Sequence, residues 1–329
     1  MPSSPAPELP VLDDVKDAAR RLEGHAVVTP LLESPLLNER LGCRLLVKAE
    51  MLQKTGSFKF RGAYNRVSRT GGRGVVAYSS GNHGQGVAAA AKILGLPSLI
   101  VMPGDAPAVK IANTRAHGAE IVFYDRDSEN REEIAARIAD ERGADLIRPY
   151  DDARIIAGQG TVGLELAAQA RAAEASLDAL LVPCGGGGLI SGCALALAGL
   201  SPDTEVHAVE PEGFDDTARS LEAGRRLANE AGARSFCDAL MVPTPGEMTF
   251  AINARLLSNG LVVGDRDVAR AMAVLFACFK VVAEPGGAVA LAACLSGAFD
   301  CRGKTVAVVS SGGNVDAGTF RDALEGAGP

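Results

Sequence analysis

The chain predicts an α/β protein with mostly parallel sheets, helix-covered and divided between two lobes. Two observations carry this. Short apolar runs of strand type alternate with helix-like stretches across short loops, the pattern of parallel strands covered on both faces. At 329 residues the chain also exceeds what a single core usually holds.

The units follow in order. Arg44 to Lys48 reads as a strand and is followed by a helix from Lys59. Val75 to Tyr78 leads into an Ala-rich helix from Asn82 to Gly95, Ser98 to Met102 into Pro107 to His117, and Glu120 to Tyr124 into Ser128 to Arg142. Leu177 to Pro183 is a further strand, with a helical stretch from Ile190 to Ala198. Glu205 to Val209 and Thr305 to Val309 complete the strand set. Met1 to Pro7 is Pro/Ser-rich, without the basic and apolar regions of a secretory signal, and residues 1–10 are expected to form a disordered lead.

Composition excludes several classes. A hydrophobic content of 47% with 22% charged residues is that of a soluble globular chain. With 33 basic and 40 acidic residues the net charge is −7, and no basic tail is present, so nucleic acid and anionic membrane are poor partners. No apolar run reaches the ~20 residues of a membrane span. The seven cysteines are scattered and none has zinc-site spacing, which indicates reduced core residues. A cytoplasmic enzyme fits these limits.

Three motifs carry chemistry. Lys59 stands behind Gly56-Ser57 and between Phe58 and Phe60. A lysine desolvated by such neighbours has the lowered pKa that Schiff-base chemistry needs. Cys184 is followed by Gly185, Gly186, Gly187, Gly188 and Leu189, between strand and helix. Bare N–H groups there can converge on a phosphate, although a glycine run can also be a plain turn. It is neither a dinucleotide fingerprint nor a P-loop. In the third, Ser79, Ser80, Asn82 and His83 crowd a strand-to-helix switch, a donor set suited to a carboxylate. Together a sequestered lysine, a phosphate cup and a carboxylate cradle describe pyridoxal phosphate acting on an amino acid.

Four motifs in order, Ser57 to Ala63, Ser79 to Gln85, the tetraglycine and Ser310 to Asn314, resemble the threonine dehydratase and serine racemase branch of the fold type II pyridoxal phosphate enzymes. The similarity runs from about Val27 to Asn314. It implies a large lobe from residues 1–70 and 152–329 and an inserted small lobe from 71–151, with the active site in the cleft between them. A segment that leaves and returns between Lys59 and the tetraglycine requires the same insertion. The resemblance further implies that Lys59 holds the cofactor and removes the Cα proton. Phe58 would pack on the ring, Asn82 would meet its phenolic oxygen, Gly185 to Leu189 would take the phosphate, and Ser311 would face the pyridine nitrogen.

A neutral hydroxyl cannot keep that nitrogen protonated, which favours prompt loss of a β-hydroxyl over long-lived carbanions. Ser80 matches the racemase-like members, in which it serves the second face of Cα. Glu210, Phe214 and Asp216 resemble the family's divalent-cation loop, an oxygen-rich site for Mg²⁺ or Ca²⁺, although acidic loops are usually solvated surface. Only a short tail follows Gly313, so the isoleucine-sensing domain of biosynthetic threonine dehydratases is not expected.

The expected activity is an ammonia-lyase acting on L-threonine and/or L-serine, working as a homo-oligomer, with a dimer as first expectation. Tyr150 is similar to the dehydratases at its position. Arg131 aligns with an arginine that can meet a second carboxylate, which keeps 3-hydroxyaspartate ammonia-lyase as an alternative. Serine racemase with dehydratase side activity is another. A β-replacement enzyme and a non-catalytic binder on the same scaffold fit the lysine and Asn loops less well.

Overall fold

The computed structural model describes residues 8–79, 81–106, 108–126 and 128–326. Of the lead expected over residues 1–10, residues 1–7 lie outside the described residues, as does Ser80, whereas residues 8–10 are described and Pro10 is buried. Ten strands run in chain order: β1 Leu31–Glu33, β2 Arg44–Ala49, β3 Val75–Tyr78, β4 Ser98–Pro103, β5 Glu120–Tyr124, β6 Asp145–Ile147, β7 Ala179–Pro183, β8 Glu205–Pro211, β9 Asn259–Val263 and β10 Thr305–Ser310. They form a six-stranded sheet in the order β1-β2-β10-β7-β8-β9 and a four-stranded sheet in the order β5-β4-β3-β6. Every pairing is parallel except β1 with β2.

Strand periodicity sorts the core. In the large sheet Leu45, Val47, Ala179, Leu181, Val306 and Val308 face one layer, while Leu46, Leu180, Val182, Ala307 and Val309 face the other. The small sheet does the same, with Val75, Ala77, Ile100 and Met102 on one side and Val76, Tyr78, Leu99 and Val101 opposite. Both faces are apolar, so these strands read as continuous apolar runs instead of alternating ones. Among the described residues no helix is long and apolar enough to cross a membrane.

Three strands escape the sequence reading for physical reasons. β1 and β6 have three residues each, too short for a periodic signal, and β9 begins with Asn259-Gly260, a turn dipeptide. The helix expected from Ser128 starts instead at Arg131, because the Asn130 side chain accepts from the N–H groups of Glu132 and Glu133 and caps it there. The helix after the tetraglycine, Gly188–Leu200, begins inside the glycine run.

Helix Lys59–Val67 packs on helices Asn82–Ile93 and Ala153–Ala172 and so touches the scaffold of both sheets. Its first turn is tied down by charge. The Arg61 guanidinium makes two 2.8 Å bonds to Glu50 and bonds of 2.6 and 2.8 Å to Glu165, and Lys48 Nζ reaches Glu165 at 2.6 Å. Arg61, Glu50 and Lys48 are essentially fully buried.

Candidate active site

Lys59 is the first residue of its helix, and the segment before it is folded onto the loop that follows β10. Phe58 N–H donates to the Ser311 carbonyl at 3.1 Å, Gly313 N–H to the Gly56 carbonyl at 2.9 Å, and Ser57 bridges to Gly312. The Asn314 side chain clasps the Thr55 carbonyl and Asn82 Oδ1, both at 2.7 Å. Gly56 has φ +73°, and a Cβ there would lie 2.5 Å from Asn314 Oδ1, so both its conformation and its neighbour demand glycine.

This brings Phe58, Lys59, Asn82 and Ser311 to one pocket, together with Ser79, His83, Tyr78, Arg131, Tyr150 and Gly185 to Leu189. Lys59 Nζ lies 5.1 Å from the centre of the Phe58 ring and donates to the Pro149 carbonyl at 2.9 Å. Burial pushes its ammonium down to about 8, against the opposing pull of Glu284. His83 is buried, and its Nε2 meets the Ile147 carbonyl at 3.0 Å. Burial, with Lys59 nearby, holds His83 down at about 3, so the ring is neutral. A carbonyl partner makes Nε2 the donor and leaves Nδ1 an acceptor. His83 therefore offers a carboxylate only its backbone N–H. Ser79 Oγ accepts from Gly81 N–H at 3.1 Å. Ser80, expected beside it, falls outside the described residues.

The glycine wall opposite is shaped by its neighbours. A Cβ on Gly186 would lie 2.3 Å from the Tyr150 ring, so the glycine lets Tyr150 close the pocket floor. The N–H groups of Gly185, Gly186, Gly187, Gly188 and Leu189 find no acceptor among the described residues, and they stand at the N-terminus of helix Gly188–Leu200. Free N–H groups so placed suit an anion without any charged side chain.

The sequence pattern of the family described as pyridoxal-phosphate dependent enzyme matches residues 22–312. The chain belongs to this family. An L-threo-3-hydroxyaspartate ammonia-lyase from Pseudomonas sp is 43% identical, over 95% of this chain and 98% of its own. The crystal structure of T.th. threonine deaminase shares 48% identity, covers 93% of this chain and 99% of that one, and superposes with a TM-score of 0.89. Maize serine racemase superposes with a TM-score of 0.90 at 36% identity, over 97% and 98% of the two chains. These are fold type II pyridoxal phosphate enzymes, and this chain has their architecture.

The residues present fit the enzyme's cofactor. The unpaired N–H groups suit its phosphate, and Lys59 and Phe58 lie across the same pocket.

One site residue has no sequence signal of its own. Glu284 lines the pocket, is buried, and accepts from Asn82 Nδ2 at 2.6 Å. Burial, then the nearby Asp238, raises its carboxyl to about 7. A Glu before Pro285-Gly286 reads only as the start of helix Pro285–Ser296. Both polar atoms of Asn82 are thus engaged, by Glu284 and Asn314, with one Nδ2 proton left for a ligand. At the mouth, Lys110 pairs with Asp238 at 2.7 Å.

The acidic residues of the expected cation loop are buried side by side. Glu210 and Asp216 are fully buried as neighbours, with Phe214 buried between them in sequence. Glu210 accepts from the N–H groups of Thr217 and Ala218 at 2.9 and 2.8 Å, and Asp216 Oδ1 accepts from Asn229 at 2.6 Å. Asp216 Oδ2 has no hydrogen-bond partner among the described residues. Burial, then Asp216, raises Glu210 to about 8, and burial raises Asp216 to about 6. Among the described residues no group of three or more His, Cys, Asp and Glu side chains is arranged for a metal. Cys184, beside Thr217, is a buried thiol pushed well above 9 by burial, a packing residue and not a nucleophile.

The lowered pKa of Lys59 has a kinetic consequence. Only the neutral amine adds to the cofactor aldehyde, so cofactor-free enzyme should capture pyridoxal phosphate about tenfold more slowly per pH unit below 8 and level off above it. The visible absorbance of the covalent link reports the rate, and Lys59→Ala should develop none. A rate independent of pH from about 6 to 9 would contradict the desolvated lysine.

Proposed function

We propose that this enzyme is an ammonia-lyase for a β-hydroxy amino acid bearing a second carboxylate, 3-hydroxyaspartate, which it converts to a 2-oxo acid and ammonia. The observation that carries the reading is Arg131. Its guanidinium lines the pocket and has no acid partner among the described residues. A cation left unpaired at the mouth of a substrate pocket favours an anionic side chain there. The Pseudomonas relative, by its name, acts on this substrate. This reverses the order expected from the sequence, which placed threonine and serine first. The threonine reading keeps its own support in the 48% identity to threonine deaminase and in Tyr150, which is similar to the dehydratases at its position.

Pyridoxal phosphate, when bound, supplies the electron sink that makes the Cα–H bond acidic. The chain's own residues do the rest. We place residues 71–151 as the small lobe that brings the Asn82 helix to Lys59, with 1–70 and 152–329 as the large lobe. Phe58, Asn82, Ser311 and the N–H groups of Gly185 to Leu189 would hold the cofactor. Ser79, Ser80 and the N–H groups of Asn82 and His83 would take the α-carboxylate, and Arg131 the β-carboxylate. Lys59 Nζ, neutral at a pH near 8, accepts the Cα proton. The Lys59 ammonium would return that proton to the β-hydroxyl, which departs as water and leaves the amine neutral again, and hydrolysis of the released unsaturated amine gives oxo acid and ammonia. Ser80, as the acid or base on the opposite face of Cα, would permit a racemase side activity. Glu210, Asp216 and the Phe214 carbonyl would hold Mg²⁺ or Ca²⁺, with Asp216 Oδ2 the free ligand oxygen.

The deciding experiment is an oxo-acid assay across L-threonine, L-serine and both 3-hydroxyaspartate diastereomers. The reading expects kcat/KM for L-threo-3-hydroxyaspartate to exceed that for threonine by about tenfold or more, the worth of one charge-assisted contact. Equal or greater efficiency with threonine would overturn it.

The cation site has its own test in stability. Glu210 and Asp216 have folded pKa values above the 4.5 and 3.8 of free carboxyls, so they contribute stability at low pH that is lost as pH rises through 6 and 8. A divalent cation binds their ionised forms and offsets that loss. Added Mg²⁺ should therefore raise Tm more at pH 8 than at pH 5. Identical melting curves with chelator and with Mg²⁺ or Ca²⁺ at pH 8 would rule the site out.

A further inference from the structure

Tyr78 ends β3 and packs with Val101, Tyr124, Ile138 and Ala139 in the core of the small sheet, yet it also lines the pocket. The Arg131 guanidinium lies 5.6 Å from the centre of its ring. Glu132 and Glu133 are exposed, Glu133 is engaged by the Asn130 side chain at 3.1 Å, and neither pairs with Arg131 among the described residues, although the Glu132 charge also reaches Tyr78. The Asn130 cap fixes the first helical turn, and with it the base of the Arg131 side chain, but not its flexible arm. A ring face supplies the missing restraint, because the negative face of the π-system attracts the cation. An acidic partner would occupy the N–H fork of the arginine, whereas a ring beneath it leaves the fork free for a carboxylate.

We propose that Tyr78 is a positioning residue that sets substrate specificity: its buried ring holds Arg131 ready for a substrate whose β-carbon carries a carboxylate. The proposal rests on the hydroxyaspartate reading of Arg131. It adds the residue that makes an otherwise mobile surface arginine into a subsite.

The test is the ratio of kcat/KM for L-threo-3-hydroxyaspartate to that for L-threonine, measured in wild type, Tyr78→Phe and Tyr78→Leu, each with Arg131 intact and with Arg131→Gln. Tyr78→Phe keeps the ring and should keep the ratio. Tyr78→Leu should lower it about tenfold, chiefly through a higher KM for hydroxyaspartate. In the Arg131→Gln background Tyr78→Leu should lower it no further, because the ring then has nothing to position. An unchanged ratio in Tyr78→Leu, or an equal fall in both backgrounds, overturns the proposal while leaving the substrate reading standing. An unchanged ratio in Arg131→Gln alone overturns both. Should Tyr78→Leu not fold, Tyr78→Met replaces it, with competitive inhibition by succinate compared with butyrate as a second readout. Loss of the advantage of succinate in Tyr78→Met supports the proposal, and an unchanged advantage overturns it.

Discussion

Lys48 and Arg61 face Glu50 and Glu165 beneath the Lys59 helix, in a space that water barely reaches. Burial opposes ionisation of Glu50, yet the Arg61 guanidinium holds its pKa below the usual carboxylate range. Charges at that depth are stable only as a complete set, since removing one member strands the others at a cost of about 3–5 kcal/mol. The set spans β2, the turn after it, helix Lys59–Val67 and helix Ala153–Ala172, and so joins elements distant in sequence. It also fixes the rotation of the lysine helix. Lys59 and Arg61 are two residues apart and therefore about 200° apart around the axis. With Arg61 locked inward, Lys59 points to the pocket.

That orientation sets the electrostatics of the site. Lys59, His83 and Glu284 all sit in surroundings that disfavour charge, and burial shifts the pKa of each toward its neutral form. The phosphate cup adds no side-chain charge, because backbone N–H groups and a helix N-terminus provide it. Arg131 and Lys110 stand at the pocket, and of these Lys110 is paired with Asp238 while Arg131 rests on an aromatic ring. On the hydroxyaspartate proposal, a cation at one edge of the pocket discriminates by the side chain of the substrate, not by the amino-acid group all substrates share.

Most of the parallel framework was legible because both faces of each sheet's central strands are covered, which produces the short apolar runs of β3, β4, β7 and β10. Lys59, Asn82, Ser311 and the glycine run were legible because their chemistry needs rare local combinations of residues. Glu284 was not, since its role arises from contact with Asn82 across the fold and a Glu-Pro pair marks many helix starts. Nor was it legible that the His83 ring is engaged by the Ile147 carbonyl, a partner with no sequence signature. Arg131 on a helix of mixed charge looks like surface until Tyr78 is placed beneath it.

The dependence of the lysine helix on the buried charges is tested most directly by native-state hydrogen exchange in Glu165→Gln, an isosteric change that weakens the hold on Arg61 and Lys48. The account predicts faster exchange of amides in residues 61–67 together with those of helix Ala153–Ala172. Loss of protection confined to Ala153–Ala172, with residues 61–67 unchanged, would contradict it.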